Sequence, residues 1–128
     1  MMQRHLLTVA AVLECLAGLA FMLAPGFTLA LLLNAEPPAE ALMIGRVAGA
    51  ALLSLGIACW AARLDPGGPA RMGVLRAMTL YNAAAGLVLV GFAATFQGSA
   101  VVAWAVGILH LGLALAFAVS LRHSGATL

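Results

Sequence analysis

The sequence predicts an all-α membrane protein: a four-helix bundle with a short interfacial helix between the first and second spans. Three observations predict it: four apolar stretches of bilayer-crossing length, turn-forming breakers between them, and arginines gathered at alternate ends. Composition agrees. Hydrophobic residues make up 65% of the chain and charged residues 8%, with a mean hydropathy of +1.13. A soluble domain carries about 25% charged side chains because something must face water. Here the apolar surface is expected to face lipid.

The spans fall at about residues 5–24, 41–62, 72–96 and 100–121 of a single transmembrane domain covering 1–128. Each is long enough to cross a core of roughly 30 Å at about 1.5 Å per residue. Pro25-Gly26 stops the first, Pro37-Pro38 precedes the second, Asp65-Pro66-Gly67-Gly68-Pro69 separates the second from the third, and Gln97-Gly98-Ser99 the third from the fourth. A membrane barrel would alternate apolar and polar residues, and these segments do not. Residues 27–34 are apolar but too short to cross; they are expected to lie at the outer interface as a helix, or to form a re-entrant turn. The first stretch is read as a retained helix. It is too long for a signal peptide, carries Glu14 at its middle, and is followed by three further spans. Cys15 and Cys59 fall at different depths, so no disulfide is expected.

Orientation follows from the arginines. Arg4, Arg63, Arg71, Arg76 and Arg122 lie at the N-terminus, the middle loop or the C-terminus, whereas the other two loops hold no Arg or Lys. Positive residues stay cytoplasmic, which predicts a bacterial inner-membrane protein with both termini inside. Trp60 and Trp104 fall near opposite interfaces, as belt anchors do. The net charge of +2 is too small and scattered for a nucleic-acid groove, so no nucleic-acid partner is expected.

A weak internal repeat accompanies this layout. Glu14-Cys15-Leu16-Ala17-Gly18-Leu19 resembles Asn82-Ala83-Ala84-Ala85-Gly86-Leu87, and Leu53-Ser54-Leu55-Gly56 resembles Leu109-His110-Leu111-Gly112. Each half is an in-out-in hairpin, so the repeat is parallel, about an axis along the membrane normal.

Helix counting isolates the residues able to carry chemistry. From the cytoplasmic end of its own span, Glu14 lies about nine residues in, Ser54 about eight, Asn82 about ten and His110 about eleven. These four are expected to form an intramembrane polar layer within roughly 5 Å of one depth. Small residues share their faces: Ala10, Ala17 and Gly18 beside Glu14, Ala85 and Gly86 beside Asn82, Ala103, Gly107 and Ala114 along the His110 face. Such residues let helices approach closely while polar side chains bond across the gap. Gly45 and Gly49 add a GxxxG spacing on the second span.

A carboxylate at the bilayer centre is expensive, so Glu14 is expected to be neutral, paired, or both. It either carries protons or a cationic ligand, or locks the helices through a hydrogen bond. His110 relays protons with Glu14 or is a packed, hydrogen-bonded side chain; a bis-histidine haem site is disfavoured, and no Cys or His cluster has zinc spacing. Tyr81, beside Asn82, can join the layer. Arg46 either snorkels to the outer interface or contacts a lipid headgroup or ligand.

Two resemblances bear on function. Gly45-Arg46-Val47-Ala48-Gly49 through Leu55-Gly56-Ile57-Ala58-Cys59-Trp60, with Tyr81-Asn82, Trp104 and His110, resembles small four-helix membrane proteins widespread in proteobacteria, a likeness that brings no assigned activity. In size and layout that group is similar to the DoxX-like membrane proteins, which implies a place beside quinone-linked oxidoreductases. Ala10-Ala11-Val12-Leu13-Glu14-Cys15-Leu16-Ala17-Gly18 is similar to the first helix of small multidrug resistance exporters, where a glutamate couples to protons. The apolar insert at 27–34, the missing lysine after the first helix and the strong arginine bias depart from that pattern.

The leading expectation is a non-enzymatic accessory or interaction protein that accommodates a lipid or quinone-like molecule between helices. It has no catalytic motif, metal site or cofactor of its own, and its partners are membrane lipid and a second protein or second copy. The alternative is a small proton-coupled transporter using Glu14; an oxidoreductase subunit would need a cofactor supplied by a partner.

Overall fold

The computed structural model describes residues 2–96 and 100–125; the expected break at Gln97-Gly98-Ser99 lies outside them. Five helices follow in order: α1 Met2–Leu23, α2 Pro25–Leu33, α3 Ala39–Ala62, α4 Pro69–Thr95 and α5 Val101–Gly125. Helices α1, α3, α4 and α5 are long and apolar enough to cross a membrane, and α2 is the short helix between the first two. The chain is a multi-pass membrane bundle. Both ends of the described chain lie on one face of it, called here the terminal side, with α2 on the far side.

Local chemistry explains the corners. Ala24 leaves helical geometry at φ −136°, ψ 57°, and Pro25 restarts the helix within its first turn. Proline is tolerated there because a first-turn N–H has no intrahelical partner to lose. The Thr28 hydroxyl lies 2.9 Å from Ala24 O and 3.1 Å from Ala20 O, carbonyls that also accept the backbone N–H groups of Thr28 and Ala24. The corner thus gives the hydroxyl proton an acceptor and ties α2 to α1. In lipid a hydroxyl has no water to turn to. Asn34 ends α2 in the left-handed region at φ 51°.

On the terminal side, Arg71 closes the turn between α3 and α4. Its Nε donates to Ala62 O at 3.2 Å, its Nη2 to Arg63 O at 2.6 Å, and its backbone N–H to Asp65 Oδ2 at 3.3 Å. Arg63 stacks on Trp60, with Cζ 3.4 Å from the ring centroid.

The long helices pack as two antiparallel hairpins, α1 on α3 and α4 on α5, and the hairpins touch each other sparsely. Glycine sets both. A Cβ at Gly18 would meet Leu53 Cγ at 2.7 Å and Gly49 O at 2.8 Å; one at Gly86 would meet Leu111 Cγ at 2.8 Å and Gly107 O at 3.0 Å. In reverse, a Cβ at Gly49 would press on Phe21 Cβ and Met22 N, and one at Gly107 on Leu89 Cβ and Val90 N. The two hairpins therefore share one contact plan. Its register differs from the sequence likeness on the second helix of each pair: Leu53 corresponds to Leu111, not to Leu109. Side-chain identity suggested one alignment, and backbone approach fixes the other.

Packing is uneven along the bundle. The terminal half is solid, built around Leu7, Leu75, Met78 and Phe117, all 0% exposed, with Ala10, Ala11, Cys59 and Ala62 between them. Gln3 Nε2 donates to Ser120 O at 3.0 Å and ties α1 to α5 at the same end. A smaller cluster of Ala93, Ala100 and Ala103 closes the far end of the α4–α5 hairpin.

Gly49→Val is expected to destabilise the bundle by about 1–3 kcal/mol, because its side chain must displace α1 backbone. Gly91→Ala, where an added Cβ meets nothing within 4 Å, is expected to be neutral or stabilising by up to about 1 kcal/mol through helix propensity. Thermal denaturation of the two variants in one detergent checks the contrast.

Candidate functional site

Between the hairpins, on the far side of the solid half, lies a half-open cavity of about 560 Å³. Ligand pockets commonly measure about 300–1,000 Å³. Matched positions of the two hairpins face it: Leu13 with Tyr81, Ala17 with Ala85, Phe21 with Leu89, Ala48 with Val106, and Leu52 with His110. Thr28, Leu31 and Leu32 of α2 add a fifth element to the wall. Leu31, Leu32 and Val102 also border a smaller cleft of about 310 Å³, which Asn34 and Ala100 line as well.

Of the large cavity's lining residues, only Glu14, Thr28, Tyr81 and His110 are polar or ionisable. Glu14 is 3% exposed and Asn82 0%. The Tyr81 hydroxyl lies within hydrogen-bonding reach of the Glu14 carboxyl, which links α4 to α1 across the gap between hairpins. Asn82 donates from Nδ2 to Met78 O at 2.8 Å, and its Oδ1 lies 2.8 Å from His110 Nδ1. Tyr81 and His110 meet edge to face with ring centroids 5.6 Å apart. The result is one hydrogen-bonded pair, Asn82 with His110, and one close pair, Glu14 with Tyr81, on three helices, joined by a ring contact. Among the described residues, no group of three His, Cys, Asp or Glu side chains converges to hold a metal.

The polar layer is thus assembled from Glu14, Asn82 and His110, with Tyr81 as its fourth member. Ser54 stays out of it. Its side chain is exposed on the outside of α3, where the hydroxyl donates to Ala50 O at 2.9 Å. A serine that can satisfy itself on its own helix needs no interior partner, and depth alone does not reveal that. Arg46 is exposed on the outer surface of α3 and lines neither cavity. Gly45 and Gly49 both serve packing within the chain, Gly45 against Leu29 and Pro25 and Gly49 against α1. Both cysteines are free thiols.

Sequence reasoning missed α2 as a wall and Phe21 and Thr28 as lining residues. The available signal was Gly45, which fits α2 against α3 but reads in sequence only as part of a GxxxG pair.

Asn82→Leu leaves the His110 Nδ1 hydrogen without its acceptor, and a loss of about 1–3 kcal/mol is expected. Ser54→Ala is expected to cost less than about 0.5 kcal/mol, since its hydroxyl bonds only its own helix. Unfolding midpoints of the two variants in micelles check the pair. No family model, curated protein or solved structure matches the chain, so function has to be argued from this site.

Proposed function

We propose that the chain is a non-enzymatic accessory protein of the bacterial inner membrane, with both termini cytoplasmic, which holds a neutral lipid or quinone-like molecule between its hairpins. The observation that carries this reading is the cavity: half-open, lined almost wholly by apolar side chains, with polar groups gathered at Glu14, Tyr81 and His110. A hydrocarbon body gains from such walls, and a few placed polar groups orient its head. Neither Arg nor Lys is among the lining residues, which disfavours an anionic phosphate head.

A proton-coupled transporter is the second reading, favoured by one observation: an almost fully buried carboxyl at the edge of an open cavity. Against it stands the apolar packing around Leu7, Leu75, Met78 and Phe117, which leaves the carboxyl no evident path to the terminal side.

Native mass spectrometry of protein released from nanodiscs is expected to show a retained small molecule. Ala85→Phe, which fills the cavity from α4, is expected to remove it while the helices remain folded. Retention unchanged in that variant places the molecule elsewhere and ends the reading. In liposomes, proton flux driven by a gradient of hydrophobic cations, lost on Glu14→Gln, turns the assignment to transport. For orientation, a fluorescent protein fused to the C-terminus is expected to glow and an alkaline phosphatase fused there to stay inactive; the reverse inverts the topology.

A further inference from the structure

Asn82 decides how His110 presents itself to the cavity. With Nδ2 donating to Met78 O at 2.8 Å, Oδ1 must be the atom facing His110 Nδ1. The flipped amide would set two oxygens against each other at that distance. An acceptor opposite Nδ1 requires that nitrogen to carry the hydrogen, and in a neutral imidazole Nε2 then offers a lone pair. Among the described residues Nε2 has no hydrogen-bond partner, yet it is not one of the sealed, unpartnered side-chain atoms. The ring lines the cavity, and Nε2, unsealed and without a partner, is the ring nitrogen left for an occupant. Nearby, the Tyr81 hydroxyl and a Glu14 carboxyl kept neutral by its intramembrane setting hold two O–H hydrogens between them, so the pair can donate as well as accept.

We propose that the occupant's head is a hydroxyl group, an alcohol or phenol on an apolar body, whose O–H donates to His110 Nε2 and whose oxygen accepts from the Tyr81–Glu14 pair. This rests on the cavity being a ligand site. It goes further by selecting neutral O–H donors over heads that only accept, such as ethers and esters, and over cations.

The test uses full-length protein in nanodiscs with two probes of matched body, 4-nonylphenol and its methyl ether, 4-nonylanisole. Affinities are corrected for partition into empty nanodiscs. The phenol is expected to bind about tenfold more tightly, the loss of one hydrogen bond being worth about 1.4 kcal/mol. His110→Leu is expected to bind both probes alike, leucine being the residue at the matching position, Leu52. Imidazole ¹⁵N spectra of the wild type are independent of any variant's folding. They are expected to show Nδ1 protonated, Nε2 bare, and the Nε2 resonance shifting with the phenol and not with the anisole. Equal binding of the two probes, or a proton on Nε2 in the empty protein, overturns the hydroxyl assignment and leaves the cavity a ligand site. Failure of both probes to bind overturns the cavity reading as well.

Discussion

Helices in lipid gain nothing by hiding apolar surface from one another, because lipid is as apolar as leucine. What holds a pair together is close contact, and here contact depends on absent side chains. Gly18 against Gly49, and Gly86 against Gly107, let backbones approach until an added Cβ would meet a carbonyl at 2.8–3.0 Å. The rest of the bundle follows from those two crossings. Each uses its helices' closest-packing glycines within its own hairpin, and contact between hairpins is sparser. Where large side chains such as Leu7, Met78 and Phe117 fill that gap, the bundle is solid. Where alanines face each other at Ala17, Ala48 and Ala85, it is hollow.

The polar groups occupy the border of those two regimes, which gives them both shelter and access. Deep in the solid half a carboxyl would need complete satisfaction by protein; in the open half it would meet lipid. At the border, the Glu14–Tyr81 and Asn82–His110 pairs cover part of the demand and leave one nitrogen uncommitted. A bundle built only to lock itself together would be expected to consume that nitrogen too. The cavity and the spare acceptor together make recognition of a small molecule the reading with the broadest support.

Much of the architecture was legible in the sequence, because length and hydropathy are one-dimensional properties. Four spans, the intervening short helix and the helical boundaries near Pro25 and Pro69 follow from the order of residues alone. Depth was legible as well, since residues rise by a constant step along a helix. Azimuth was not. Glu14, Asn82 and His110 turned inward and Ser54 did not, although counting placed all four at one level. The difference lies in what each can satisfy alone. Ser54 spends its one hydrogen on the carbonyl one turn back. Asn82 does the same through Nδ2 but keeps an amide oxygen for His110, and a carboxyl or an imidazole reaches no such carbonyl. The cavity itself was invisible, because it is a difference between packed volumes contributed by five separate helices.

The shared contact plan of the two hairpins has a consequence for how an occupant lies between them. Two identical hairpins would present the same wall from both sides, and any guest would have two equivalent poses related by half a turn. Carrying both halves on one chain removes that degeneracy. Leucine at positions 13 and 52 faces the cavity where its counterparts, Tyr81 and His110, carry hydrogen-bonding groups. At those two positions the first hairpin is apolar and the second hydrogen-bonding, and the first hairpin's polar contribution comes from Glu14 instead. A guest that would have two equivalent poses in a symmetric assembly would meet two unlike walls here.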